Sequence, residues 1–485
     1  MSVRAHLRRI PQVMSAMRRA RADAPHERLA PAALRALQGE RLGEVVRFAA
    51  ERSPLYRELY RGVDLRGPIA LASLPTTGKP LLMDAFDDWA TDRRIRRAEV
   101  ESALPAIERG ALHLGEYQVC STGGTSGRRG LFLCSRADWT AALGAFFRYT
   151  ALVGTSPRVP RRRIALVTTV SPLHMSARFG ASTDVGLHRV ARFDARRPLS
   201  DVVAGVQAFQ PTSLNGYPSM LALLAGEQLA GRLSIAPETI STTSEVRTPE
   251  MEERIVAAWG VRPFDVYATT ETGITAVDCE HHAGRHVFED YVAIENVDAD
   301  GRPVPDGSPG AKLLVTNLWN RTQPVIRYEL SDMVVVESGT CACGRTLRRL
   351  VALDGRADDV LLLPARSGGT IAVHPLAVRS PFAANEAVRQ YQVVYDGREL
   401  TVRVVPQPGA DPEQLVQRVR HDVAAKLANA GAVAPPIAVE LVADLARDGG
   451  TSGKLKLIEV RAAGAPASGE ATVAPLPGQR AAAAV

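Results

Sequence analysis

From Leu29 to Arg61, apolar residues recur at Leu34, Leu37, Leu42, Val45, Val46 and Ala49 with few breakers, the spacing of one helical face, which predicts one or two helices. Asp138 to Val153 has the same period, with Asp138 placed to act as N-cap. The continuous apolar run Arg163-Ile-Ala-Leu-Val-Thr-Thr-Val170 reads instead as a buried strand. Further alternation follows. Val202 to Phe209 reads as helix, Thr212 to Asn215 as extended chain, and Gly216-Tyr-Pro-Ser219 as a turn into a helix from Met220 to Leu229. Ser241 to Val246 and Phe264 to Tyr267 read as strand ends on either side of a helix from Pro249 to Trp259. Helices alternating with strands predict an α/β domain with a mainly parallel sheet, whose ligands sit beyond the carboxyl ends of the strands.

The period changes near Gly284. Short strands at Ala293 to Val297, Lys312 to Thr316, Val325 to Tyr328 and Met333 to Val336 predict a β-rich subdomain. After Asp354 a compact α+β pattern begins, with strands at Gln392 to Tyr395, Glu399 to Val405 and Ile437 to Val442. Its helix, Pro412 to Asn429, places Leu415, Val416, Val419, Val423 and Leu427 on one side. The expected organisation is therefore a large α/β domain over residues 1–354, a small, mobile α+β domain over 355–461, and an Ala/Pro/Gly-rich tail over 462–485 too poor in large apolar residues to fold.

With 485 residues and 46% hydrophobic composition, such a chain can bury a large core divided into two domains. Its net charge of +7 comes from arginines dispersed among 52 acids, with no basic run interleaved with aromatics. That pattern favours anionic small molecules over nucleic acid. Residues Met1 to Arg28 read as an arginine-rich surface helix without the apolar stretch of a signal peptide, and no run of about 18 apolar residues predicts a membrane span. Five cysteines without an export signal are expected as reduced thiols or metal ligands in the cytoplasm.

Two features carry candidate chemistry on residue type alone. Cys120-Ser-Thr-Gly-Gly-Thr-Ser-Gly-Arg-Arg-Gly130 combines glycines, whose backbone N–H groups can converge on one anion, with hydroxyl donors. It lacks the order of the nucleotide-binding P-loop, and an ordinary surface loop is the bland alternative. Cys279-Glu-His-His282 and Cys341-Ala-Cys343 offer two chelating pairs, so Cys279, His282, Cys341 and Cys343 form a candidate structural zinc set, with His281 or His286 as substitutes for His282. Buried free thiols are the rival reading.

Taken together, Ser121-Thr-Gly-Gly-Thr-Ser-Gly127, Tyr267-Ala-Thr-Thr-Glu271, Arg327-Tyr-Glu-Leu-Ser-Asp332, Gly355-Arg-Ala-Asp358 and Ser452-Gly-Lys454 stand in the order of the adenylate-forming enzymes. From Leu74 to Val460 the chain resembles that superfamily of acyl-CoA synthetases. It is most similar to the phenylacetate-CoA ligase-like branch, a placement supported by Gln210 to Ser219, Ser244-Glu245 and Cys341-Ala-Cys-Gly-Arg-Thr346.

The resemblance implies that the carboxylate of an aromatic acid attacks the α-phosphate of ATP, giving acyl-AMP and pyrophosphate, and that the thiol of coenzyme A then displaces AMP. Ser121, Thr122, Gly123, Gly124, Thr125, Ser126 and Gly127 would hold the β and γ phosphates. Thr270 would donate to a phosphate oxygen and Glu271 would hold Mg²⁺. Asp332 would accept the ribose hydroxyls, Tyr267 would stack on adenine, and Ser244, Glu245 and Asp265 would line the edge of the base. Arg356 would contact ribose or phosphate and Asp358 would be the hinge. Lys454 would bridge carboxylate and α-phosphate oxygens, with Lys456 as the alternative. Tyr217, Pro218, Phe146, Phe147, Thr242 and Thr243 would line the acid pocket. The partners implied are a small carboxylic acid and CoA for a monomer or homodimer. A carrier-protein thiol or an amine as acceptor, and an inactive nucleotide-binding scaffold, are the competing readings. Ala268 for the usual glycine, and Arg128 and Arg129 for the usual lysine and proline, depart from the family pattern.

Overall fold

The computed structural model describes residues 3–122, 129–383, 385, 387–447 and 453–461. The chain divides into two compact units, the first comprising residues 1–353 with 450–452 and the second residues 354–449 with 453–485. The tail 462–485 lies outside the described residues.

The first unit opens with helices α1 (Val3–Asp23), α2 (Pro31–Arg52), α3 (Pro54–Leu59), α4 (Lys79–Asp84), α5 (Phe86–Trp89) and α6 (Arg97–Glu108). A hairpin of β1 (Gln118–Ser121) and β2 (Leu131–Cys134) leads into α7 (Arg136–Leu152). The alternating region follows as β3 (Arg163–Thr168), α8 (Met175–Thr183), β4 (Arg189–Asp194), α9 (Leu199–Phe209), β5 (Ser213–Gly216), α10 (Pro218–Leu229), β6 (Thr239–Thr243), α11 (Pro249–Trp259) and β7 (Phe264–Thr269). Then come β8 (Gly273–Asp278), β9 (Arg285–Val287), β10 (Val292–Val297), β11 (Lys312–Asn317), β12 (Tyr328–Leu330), β13 (Asp332–Glu337) and β14 (Arg349–Arg356).

Local chemistry explains several boundaries. The hydroxyl of Thr248 accepts from the Met251 N–H, Pro249 occupies the first helical position, and Gly260 ends α11 at φ +67°. Helix α7 is capped by Ser135 rather than Asp138. Asp138 sits three residues into the box, where its carboxylate accepts back from the Ser135 N–H at 3.0 Å and also from Thr322.

One nine-stranded sheet runs in the order β13-β14-β9-β8-β7-β6-β5-β3-β4. Strands β4, β3, β5, β6 and β7 are parallel, and β8 and β9 continue the sheet antiparallel. The region expected to be one β-rich subdomain is thus divided, since β9 and β13 join this sheet while β10, β11 and β12 form a separate three-stranded one. The strand expected at Val325 to Tyr328 begins only at Tyr328. From β3 the chain steps outward to β4 and then returns to β5 on the other side, so the strand order reverses between β3 and β5. A crevice beyond the carboxyl ends opens at such a switch point. Across it, Tyr217 N–H donates to the Val167 carbonyl at 3.1 Å, and Thr169 N–H to the Tyr217 hydroxyl at 3.2 Å.

Gly216 is what lets β5 turn there. A Cβ on it would lie 2.6 Å from the Val167 carbonyl oxygen, a backbone atom that cannot swing aside. Gly216→Ala is expected to destabilise the first unit by about 1–3 kcal/mol, read as a lower urea midpoint, and an unchanged midpoint would show that β3 and β5 separate freely.

The short helical turn Ala24–Arg28, which follows α1, is anchored through charge. Arg148, 1% exposed at its side chain, pairs with Glu27 at 2.9 Å and Asp290 at 2.8 Å, and His26 Nδ1 lies 2.9 Å from Asp290. Burial works against ionisation of Asp290, but His26, Arg148 and Arg41 hold its carboxyl below the ordinary value.

The second unit contains β15 (Leu361–Pro364), β16 (Thr370–Val373), α12 (Pro375–Ala383), β17 (Val388–Tyr395), β18 (Leu400–Pro406), α13 (Pro412–Asn429), β19 (Ile437–Leu441) and β20 (Ile458–Val460). A four-stranded sheet in the order β19-β18-β17-β20 is covered by α13, whose Leu415, Val419, Val423 and Leu427 are buried with Leu400, Val402 and Val404. No helix among the described residues is long and apolar enough to cross a membrane.

Candidate active site

Cys120 and Ser121 of the glycine-rich stretch end β1, and Gly130 stands immediately before β2, the antiparallel partner of β1. Thr122 N–H donates to the Gly130 carbonyl and Gly130 N–H to Thr122 Oγ1, both at 3.0 Å, which closes the base of the loop. Ser121 is fully buried. Its hydroxyl accepts from Arg129 Nε at 2.7 Å, and its N–H donates to the Leu173 carbonyl at 2.8 Å, tying the hairpin to the chain that leaves β3. Gly123, Gly124, Thr125, Ser126 and Gly127 lie outside the described residues, as does Arg128. Lys79 was overlooked in sequence: its Cε is 3.3 Å from where a Cβ on Gly130 would be, so a cation stands at the root of this loop.

Thr270 and Glu271 occupy the turn that joins β7 to β8. Thr269, Thr272 and Thr275 link hydroxyls beside it at 2.8 and 2.7 Å. Glu271 is 8% exposed. Asn317 Nδ2 donates to its backbone carbonyl at 3.0 Å and the Tyr328 hydroxyl to its Oε1 at 3.3 Å, so the carboxylate has a fixed position.

Two motifs far apart in sequence meet directly, for the Tyr267 hydroxyl donates to Asp332 Oδ2 at 2.9 Å. Tyr267 is 7% exposed and packs with Ala276, Tyr328 and their neighbours, so packing and the orientation of Asp332 are the roles its surroundings give it. Ser244 follows β6 at φ +73°, a left-handed conformation that a non-glycine residue keeps only under constraint. Next to it, Glu245 Oε2 accepts from Ser219 N–H at 3.2 Å and so caps α10.

A second cluster joins the turn after β8 to β9 and the loop before β14. Cys279, His286, Cys341 and Cys343 offer one ligand atom each, all within 4.8 Å of one another. Cys279 Sγ lies 3.8 Å from Cys341 Sγ, and Cys343 Sγ lies 3.4 Å from His286 Nε2. Burial pushes the Cys279 thiol up to about 12 and, with Arg345 nearby, brings His286 down to about 4. Burial also opposes ionisation of Cys343, but hydrogen bonds from Arg345 leave that thiol below its usual value.

No protein-family model matches the chain. It is 28% identical over 397 residues to a phenylacetate-coenzyme A ligase of Thermus thermophilus, covering 76% of this chain and 81% of that one. It is 27% identical over 436 residues to the corresponding ligase of Aromatoleum evansii, covering 82% and 89%. Among solved structures, 2-hydroxyisobutyryl-CoA ligase in complex with 2-HIB-AMP superposes with a TM-score of 0.71 at 22% identity, covering 90% of this chain and 91% of that one. The chain is thus similar in sequence to phenylacetate-coenzyme A ligases.

Within this ligase-like frame, several residues differ in place from the sequence reading. His282 is not the histidine of the cluster: its ring packs on Phe264 at 4.9 Å and its Nδ1 lies 3.6 Å from Asp278, while His286 faces the thiols. Asp265 is 3% exposed and its two oxygens accept from Thr242 at 2.7 Å and Arg285 Nε at 2.6 Å, which commits it to an internal ion pair instead of the edge of a base. Thr242 and Tyr217 are fully buried, and Pro218 is buried at the start of α10, so none of the three borders open space. Thr243, Phe146 and Phe147 remain partly exposed. In the second unit Arg356 is exposed at the end of β14, Asp358 lies in the short helical turn Ala357–Asp359, and Lys454 is partly exposed. Lys456 Nζ is 3.6 Å from Asp359.

Proposed function

We propose that this chain is an AMP-forming acid–thiol ligase: it joins a carboxylic acid to the α-phosphate of ATP, releases pyrophosphate, and passes the acyl group to the thiol of coenzyme A. The observation that carries this reading is the 2.9 Å bond from Tyr267 to Asp332, which brings two nucleotide motifs together. The curated relatives are phenylacetate-coenzyme A ligases, and they favour an aromatic acid. Pyrophosphate release that depends on the acid, followed by a CoA thioester seen by mass spectrometry, tests it; ATP bound without release under any acid would favour a scaffold.

The residues divide the work by chemistry. Asp332, its Oδ2 oriented by Tyr267, is the acceptor for the two ribose hydroxyls, a task for a carboxylate with two oxygens. Asp332→Asn keeps the shape but replaces one acceptor by a donor, and is expected to raise the KM for ATP about 10- to 100-fold with little change in the KM for the acid. Equal effects on both would remove Asp332 from the ribose. Thr122 and the loop it closes would surround the β and γ phosphates, with Thr270 donating to a phosphate oxygen. Glu271 is the carboxylate suited to Mg²⁺, whose charge, when bound, neutralises the phosphates. Lys454 supplies a compact cation for the first half-reaction, and Asp358 is the hinge about which the second unit moves. Proteolysis near Asp358 that is unchanged by an acyl-AMP analogue would count against that hinge.

Cys279, His286, Cys341 and Cys343 would hold a structural zinc ion. For Zn–S bonds of about 2.3 Å at tetrahedral angles, two sulfurs stand about 3.8 Å apart and a sulfur and a nitrogen about 3.5 Å. The separations of 3.8 and 3.4 Å match that shell.

A further inference from the structure

Strands β5 and β6 lie in the middle of the nine-stranded sheet, next to the switch point. Leu214 and Ile240 enter the core beneath α10 and are fully buried. Their neighbours Asn215 and Ser241 are register partners and point to the opposite face, where α7 runs. A residue in a central strand covered by helices is ordinarily sealed, yet Asn215 keeps partial exposure. So do Thr243, two residues beyond Ser241 on the same face, and Phe146 and Tyr149 on α7. Open space therefore borders all four.

The hydrogen bonds at this place have one direction. Ser241 Oγ donates to Asn215 Oδ1. With its single proton committed, Ser241 can only accept from the Tyr149 hydroxyl, 2.9 Å away. The chain runs Tyr149 to Ser241 to Asn215 and ends on the amide oxygen, leaving the Asn215 NH₂ group without a protein partner among the described residues. Burial raises the Tyr149 phenol above its ordinary value, which keeps it a neutral donor. The neighbouring wall is aromatic: Phe146 stacks on Phe179 with centroids 5.4 Å apart and meets Tyr149 edge-on at 5.7 Å.

We infer that this chain selects an aromatic acid whose ring carries a hydrogen-bond acceptor, such as a phenolic or ether oxygen, with the ring against Phe146 and the acceptor on Asn215 Nδ2. The inference rests on the ligase reading above and narrows its substrate. A ring without such a group displaces water from the amide and offers nothing in return, whereas an acceptor restores the bond. A buried donor left unmatched lowers binding of the transition state by about 10- to 100-fold. Thr243, nearer the carboxyl end of β6, adds a hydroxyl along the same wall.

The test compares matched acids, benzoate with its hydroxy and methoxy isomers and phenylacetate with its own, by pyrophosphate release at saturating ATP. At least one substituted isomer is expected to exceed its parent in kcat/KM by about 10-fold or more. Asn215→Leu should bring that ratio close to unity, chiefly by lowering kcat/KM for the substituted acid, and Tyr149→Phe should reduce the ratio in part. A natural protein that uses the parent acids as well as every isomer, or a ratio that Asn215→Leu leaves unchanged, overturns the inference. If Asn215→Leu does not fold, Asn215→Asp, which keeps the shape and removes both N–H donors, gives the same comparison. No release with any acid overturns the ligase reading instead; calorimetric titration of the same acid pairs then decides the pocket, equal affinities overturning it.

Discussion

Lys454→Ala is expected to lower acid-dependent pyrophosphate release by about 10²- to 10³-fold, while transfer from supplied acyl-AMP to CoA falls far less. The asymmetry follows from what each half-reaction asks of a cation. Adenylation brings two anions together, a carboxylate and a triphosphate, and charge grows on the oxygens around the α-phosphorus. An ammonium aimed there stabilises the transition state more than the ground state, which is what accelerates a step. Thioester formation expels AMP from an already activated carbonyl and has no such need. The chain contains only five lysines, Lys79, Lys312, Lys426, Lys454 and Lys456, against a large arginine complement, so a lysine at this position is not a matter of general usage. Lys456, the alternative, lies 3.6 Å from Asp359. Lys454→Arg should recover little, because a planar fork does not replace a compact ammonium on a flexible stem. Rapid-quench measurement of both half-reactions checks this. Equal losses in the two, or a loss on Lys456→Ala alone, would move the role elsewhere.

Much of the fold was legible where local chemistry decides the outcome. Pro249 to Trp259 and Pro412 to Asn429 were bounded correctly because proline, the capping Thr248 and Asp411, and apolar spacing all point the same way. Asp138 misled because an acid at the third helical position reaches back as effectively as a cap reaches forward. Neither α8 nor β4 was read from the sequence: β4 has no fully buried residue, so it lacks the apolar signal that marks β3. The order of strands, and with it the switch point between β3 and β5, depends on pairing over long distances and has no local signature.

The candidate site divides in the same way. Motif residues such as Tyr267 and Asp332 could be singled out, but their 2.9 Å bond could not, since it joins positions separated by most of a subdomain. Asp265 shows the converse. Its strand and its polarity suggested a ligand group, and the decisive fact is Arg285, one arginine among many in sequence, whose Nε meets it at 2.6 Å. Tyr217 looked like pocket lining because it stands beside a glycine at a strand end, but at the switch point that position turns inward and is sealed.

Removal of zinc should cost the first unit stability without touching the nucleotide residues. The four proposed ligands come from three places: Cys279 after β8, His286 within β9, and Cys341 with Cys343 on the loop before β14. The spacing of His281 and His282 from Cys279 made them natural partners in sequence, yet a strand alternates its side chains, and His286 is the residue whose imidazole reaches the thiols. An ion shared by these segments binds the folded chain and not the unfolded one, so it adds stability in proportion to the logarithm of its concentration over Kd. At free zinc a thousand times Kd that contribution is about 4 kcal/mol. Metal analysis after zinc-replete expression should give one zinc per chain, falling to none in Cys341→Ser. Chelation should lower the unfolding midpoint of the natural protein and leave that of Cys341→Ser where it was. The comparison separates the ion from the packing of the thiols, because Cys341 is buried and its substitution alone disturbs the core. If chelation shifts neither midpoint and no metal copurifies, the four residues are a packed thiol cluster, and the 3.8 Å sulfur separation reflects van der Waals contact alone.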